Sequence, residues 1–139
     1  MQTLARLFPC VMLLAACSDP TGTGLVDGRF NGSWHYVAQR SGSAVTIQGT
    51  LTVGEADRGT LTGTLAAEQV DAMNQRTPVA GLVSGSVVSA GVATINITLP
   101  GGEVCTHFAQ WRNDSLLGDW SVQSGGTGGG SFRAGRTTP

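Results

Sequence analysis

Two stretches of the chain alternate apolar and polar residues almost without fault. In the first, Val45, Ile47, Gly49, Leu51 and Val53 are separated by Thr46, Gln48, Thr50 and Thr52. In the second, Ala93, Ile95, Ile97 and Leu99 are separated by Thr94, Asn96 and Thr98. A period of two places each apolar set on one face of a half-buried strand. From Phe30 onward Gly, Thr, Ser and Val dominate, helix formers are sparse and turn residues recur every roughly 10–14 positions. The pattern predicts eight strands, at about 32–40, 44–54, 59–67, 77–88, 91–99, 103–112, 115–123 and 130–136.

The joins carry turn chemistry: Ser41-Gly42-Ser43, Ala56-Asp57-Arg58-Gly59, Ser89-Ala90-Gly91, Pro100-Gly101-Gly102, Asn113-Asp114 and the glycine-rich stretch 125–130. Most are of hairpin length, which favours antiparallel neighbours over crossovers. Glu68–Arg76 is the exception, because Glu68, Gln69, Ala72, Met73 and Gln75 tolerate a helical turn or a longer loop. The predicted fold is therefore all-β, a small antiparallel up-and-down barrel of about eight strands, since closure removes the edges of a meander. An open β-sandwich is the runner-up. Glycines inside strands (Gly49, Gly63, Gly81, Gly85, Gly118) suit the sharp bending of a small barrel.

Residues 1–16 have the three parts of a secretory signal: Arg6 as the one charge, an apolar run from Leu7 to Ala16 broken only by Pro9, and small residues at its end. The run is well short of the ~18–20 apolar residues that cross a bilayer as a helix. Leu14-Ala15-Ala16-Cys17 resembles the lipobox of bacterial lipoproteins. The resemblance implies cleavage between Ala16 and Cys17, a diacylglycerol on the Cys17 sulfur and an acyl chain such as palmitate on its amine. Two or more chains hold a protein firmly on a membrane. Ser18 after the cysteine favours the outer membrane in the familiar sorting rule, with the periplasmic and outward faces both open. Residues 17–28 read as a flexible tether and 29–139 as a single domain. Faces of Thr, Gln and Asn argue against a membrane-spanning barrel, for which a lipid anchor is also redundant.

The chain has eight Arg and no Lys. Without Arg6, seven Arg face nine acids, scattered and without a run, which gives no sign of a nucleic-acid partner. Cys10 leaves with the signal and Cys17 is consumed by lipid, so Cys105 stands alone as a small buried hydrophobe.

Gly32-Ser33-Trp34 opens the first strand and Gly118-Asp119-Trp120 recurs late; Leu61-Thr62-Gly63-Thr64-Leu65 lies between them. With a late Arg, these segments resemble calycin-type barrels, the lipocalins and avidins. The resemblance implies that Trp34 packs at a closed barrel end against Arg133 or Arg136, a cation–π contact of about 0.5–2 kcal/mol. It carries no assignment of pocket residues.

Chemistry is scarce. His35 points away from Trp34 and Tyr36 by alternation, and His107 shares a face with Cys105, Ala109 and Trp111. Cys105 and His107 could supply two metal ligands, short of the usual three or four, and no orienting residue turns them into a nucleophile pair. The acids are isolated, and the glycine-rich stretch lacks the Lys-Ser/Thr of a phosphate loop. The expectation is a non-enzymatic protein without cofactor or metal. Trp34, Tyr36, His107, Trp111 and Trp120 are the candidate ligand pocket or core, with Phe108 in the same aromatic set. The expected function is a lipid-anchored envelope barrel binding a small apolar ligand. The alternative is a filled core and a protein-interaction role, as an inhibitor or an assembly accessory.

Overall fold

A computed structural model describes residues 28–138. The signal (1–16), Cys17 and all but the last residue of the tether lie outside the described residues. Within them the alternating segments form strands β1 (Gly32–Arg40), β2 (Thr46–Ala56), β3 (Thr60–Val70), β4 (Arg76–Ser89), β5 (Val92–Thr98), β6 (Val104–Arg112), β7 (Ser115–Ser124) and β8 (Gly129–Arg136). Each pairs antiparallel with its sequence neighbour, and β1 closes the sheet on β8, from Trp34 opposite Arg136 to Arg40 opposite Gly130. The result is a closed up-and-down barrel, not a sandwich.

The inward faces are those the alternation marks. Trp34, Tyr36 and Ala38 of β1, Leu51 and Val53 of β2, Ile95 and Ile97 of β5 and Ala109 of β6 are buried. A closed sheet with so few strands must coil tightly, and glycine permits it where strands come closest. A Cβ on Gly118 would strike the carbonyl oxygen of Phe108, and one on Gly130 that of Gln39.

The two ends differ. At one end lie the short turns after β2, β4 and β6, together with Phe30, which is wholly buried ahead of β1. The β6–β7 turn places Asn113 and Asp114 at φ 49° and 56°, as a two-residue hairpin of primed type requires. Trp34 fills this end and donates from Nε1 to the Phe30 carbonyl at 3.1 Å. The Arg136 guanidinium lies over the Trp34 ring, 4.2 Å from its centroid, and donates to the carbonyls of Asn31 at 2.7 Å and Arg29 at 2.8 Å. Of the two arginines the resemblance offered, Arg136 is the partner. Arg133 sits on the outer wall, opposite Val37 and Leu117.

The four longer loops, 41–45, 71–75, 99–103 and 125–128, gather at the other end. Two expectations are corrected here. Glu68–Val70 continues β3 and pairs with Thr46–Gln48, so of the two alternatives for Glu68–Arg76 the loop is found, confined to 71–75, and its first three residues are strand. Its loop is tied by Asp71, whose Oδ1 accepts from the backbone N–H of Met73 at 2.9 Å and Gln75 at 2.8 Å. Side-chain acceptance by Asp stabilises a turn where helix propensity alone suggests a helix. Phe108 is the second: it is 58% exposed, because its parity on β6 opposes that of Cys105 and His107.

Candidate functional site

The aromatic candidates separate along the barrel axis. Trp34 belongs to the packing of the closed end. Trp111 lies there too, at the end of β6, with the Arg29 guanidinium 5.1 Å from its ring centroid. Tyr36, His107 and Trp120 come together midway, with Phe132 of β8 completing the group. His107 meets Phe132 edge-on at 4.9 Å between centroids and Trp120 in a stacked arrangement at 6.3 Å. Phe132 was not foreseen, although it alternates with Ala134 on an inward face.

Tyr36 and His107 are each 2% exposed and joined by a 2.7 Å contact between the phenol oxygen and Nε2. Nδ1 lies 3.3 Å from the Cys105 carbonyl oxygen, which can only accept. The proton therefore sits on Nδ1, and Nε2 accepts from the Tyr36 hydroxyl. Burial pushes the imidazole pKa from 6.5 down to about 4, against the opposing pull of the Cys105 and Ile95 carbonyls. Burial also pushes the Tyr36 hydroxyl upward, helped by the neighbouring Cys105. The pair is a neutral, hydrogen-bonded tie across the barrel.

Cys105 and His107 share a face, yet no bond joins thiol to imidazole. The Sγ donates weakly to Glu103 Oε1 at 3.7 Å. Burial, then the Glu103 charge and hydrogen bond, push the thiol up to about 11, with Arg40 pulling it down. A protonated thiol and an imidazole engaged by tyrosine do not make a nucleophile and base. Among the described residues, no group of three or more His, Cys, Asp or Glu could hold a metal ion.

Above this layer the barrel opens. A recess of about 90 Å³ is lined by Ala38, Val45, Ile47, Val79, Leu99, Cys105 and Trp120, with Arg40, Gln69 and Glu103 towards its mouth. A narrower space of about 20 Å³ continues from it down to Tyr36, Leu65, Ile97 and His107. The two share Ile47, Val79, Leu99, Cys105 and Trp120, so the walls they have in common are apolar apart from the Cys105 thiol. Trp120 is 7% exposed, and its Nε1–H is buried without a hydrogen-bond partner. Trp111 Nε1 is also unpartnered, but at the closed end, away from the recess. A larger hollow of about 630 Å³ lies on the outer wall over His35, Gln48, Ala66 and Pro78. It is an open groove left by small outward residues and encloses nothing.

The recess-lining residues Arg40, Val79, Leu99 and Glu103 were not foreseen as a site. They sit at strand ends whose loops share one rim, a relation that follows from hairpin order once the barrel is closed.

A closed antiparallel meander with a recess at one end makes this chain an eight-stranded up-and-down barrel. Solved structures agree on the fold. The structure of EF1p2_mFAP2b bound to DFHBI superposes with a TM-score of 0.65 at 14% identity, covering 83% of this chain and 99% of that one. A redesigned β-barrel, mFAP1, also bound to DFHBI, gives 0.62 at 14% identity, covering 84% and 100%. A de novo designed fluorescence-activating β-barrel gives 0.60 at 19% identity, covering 81% and 100%. No protein-family model matches the sequence, and no curated protein matches it.

Proposed function

We propose that the chain is a lipid-anchored barrel of the bacterial envelope that binds a small apolar ligand in the recess at its open end. One observation carries the ligand reading: a recess walled by Ile47, Val79, Leu99 and Trp120, the last a tryptophan whose buried indole N–H has no acceptor. A buried donor left unpaired costs about 1–3 kcal/mol. Such a group calls for a partner from outside the fold. The fold-level likeness to barrels described as bound to DFHBI supports the reading without assigning any residue. The anchor rests on Leu14-Ala15-Ala16-Cys17, with residues 17–28 as tether and the outer membrane as destination.

Titration with aliphatic alcohols, esters and hydrophobic dyes, DFHBI among them, should quench tryptophan fluorescence in the intact protein and lose that effect in Trp120→Phe. Silence across the panel would dispose of the ligand reading. Intact-mass spectrometry of protein from its native host should find Cys17 as the first residue, carrying diacylglycerol and acyl mass. An unmodified Cys17 thiol would dispose of the anchor.

A second reading, a protein-interaction role, is favoured by Phe108 and Leu117. They are 58% and 40% exposed on the outer faces of neighbouring strands β6 and β7. It predicts a crosslinked envelope partner in intact cells that is lost in Phe108→Ser.

A further inference from the structure

The recess joins an uncharged interior to a rim that carries one charge of each sign. Inside, His107 is neutral, Tyr36 keeps its proton and so does Cys105. At the mouth Arg40 and Glu103 line the same space. Both are felt at one atom, the Cys105 Sγ, where Glu103 raises the thiol pKa and Arg40 lowers it. Neither charge is consumed by the fold. Among the described residues Arg40 spends one donor on the Thr127 carbonyl at 2.6 Å, and the Glu103 carboxylate accepts only the weak thiol contact. The Glu68–Arg76 ion pair nearby is on exposed side chains and takes no part in the recess lining.

This arrangement discriminates by charge. An anion entering would meet Arg40 but also Glu103, and a cation would meet the reverse. Neither sign gains a net partner, while both would lose water against Ile47, Val79 and Leu99. A neutral group loses little. The space, about 90 Å³, is that of about three waters at roughly 30 Å³ each. That admits the end of a small molecule, laid against Trp120.

Resting on the proposed ligand-binding function, we propose that the recess selects a small net-neutral molecule that lies against Trp120 among the side chains of Ile47, Val79 and Leu99. Singly charged analogues of the same length are rejected by the opposed pair Arg40 and Glu103.

The test uses three six-carbon probes, hexan-1-ol, hexanoate and hexylammonium, titrated into the ¹⁵N-labelled protein at pH 7. The Trp120 indole resonance, assigned by its loss in Trp120→Phe, reports binding. Hexan-1-ol should shift it with a Kd at least tenfold below that of either charged probe. Glu103→Gln, at the rim, should bring hexanoate within about twofold of the alcohol, and Arg40→Gln should do the same for hexylammonium. A charged probe that binds wild type as tightly as the alcohol overturns the charge rule, as does a ratio unmoved by both substitutions. If no probe moves the Trp120 resonance, the recess reading itself falls with it.

Discussion

The tie between Tyr36 and His107 makes a specific demand on pH. His107 is buried and neutral, with its pKa pushed from 6.5 to about 4 by loss of water. Between those values the unfolded chain binds a proton on this residue and the native chain does not. Stability must therefore fall as pH falls from 6.5 to 4, and stop falling from this cause below 4, where both states are protonated. At about 1.4 kcal/mol for each pH unit, the whole window is worth about 3 kcal/mol, a large share of the 5–15 kcal/mol that holds a typical domain folded. Protonation would also turn Nε2 from an acceptor into a donor, so that the Tyr36 hydroxyl must turn its own proton aside to accept from it.

Urea unfolding followed by tryptophan fluorescence at pH 7, 6, 5 and 4 measures the loss. His107→Gln isolates it, because the amide oxygen still accepts from Tyr36 while nothing at the position titrates. That variant is offset in stability at every pH, but its acid slope should be shallower than wild type by about one proton between pH 6.5 and 4. The other ionisable groups facing His107, Tyr36 and Cys105, are both pushed upward and stay out of this window. Parallel profiles for wild type and His107→Gln would refute the buried neutral imidazole.

Three further outcomes follow from the packing. Tyr36→Phe leaves Nε2 buried without a donor and should cost about 1–3 kcal/mol at pH 7, read as a lower urea midpoint with an unchanged slope. Gly118→Val drives a side chain into the Phe108 carbonyl and should cost at least the roughly 1–3 kcal/mol of an overpacked core, whereas the outward Asp119→Ala, next to it, should be near neutral. Iodoacetamide should modify Cys105 slowly at pH 8, since the thiol is pushed up to about 11, and Glu103→Gln should quicken it by removing the charge and hydrogen bond that raise that value.

Strand positions were legible because the barrel has one buried face, so a period of two fixes each residue's side. The predicted 32–40 matches β1, and 115–123 falls one residue short of β7. The segment Glu68–Val70 was not legible, because Glu68 and Gln69, with helical leanings, are held extended by pairing to β2 and β4, a tertiary effect. Phe108 was legible and misread: its parity already opposed that of His107. The Tyr36–His107 bond was beyond reach, joining residues 71 positions apart through strands that never pair with each other. Only closure of β1 on β8 brings them face to face.

The barrel divides its labour along its axis, and the division explains where a ligand site can be. The closed end is a filled core in which Trp34 Nε1 donates to Phe30 and Arg136 caps the carbonyls of Asn31 and Arg29; the Trp111 Nε1–H is unpartnered there but lines neither part of the recess. Ligands have nothing to gain there. The central layer spans the barrel with a neutral hydrogen bond and three aromatic contacts, which fixes the rotamers of Tyr36, His107 and Phe132. That layer is the rigid floor of the recess above it. The four longer loops surround the mouth, and the unspent charges of Arg40 and Glu103 lie there with the unpaired indole of Trp120 just inside. Unmet hydrogen-bonding capacity beside apolar surface destabilises a fold unless something else answers it, and a rigid floor lets the fold tolerate it. The open end is therefore where this chain forgoes stability, and the place to look for what it binds.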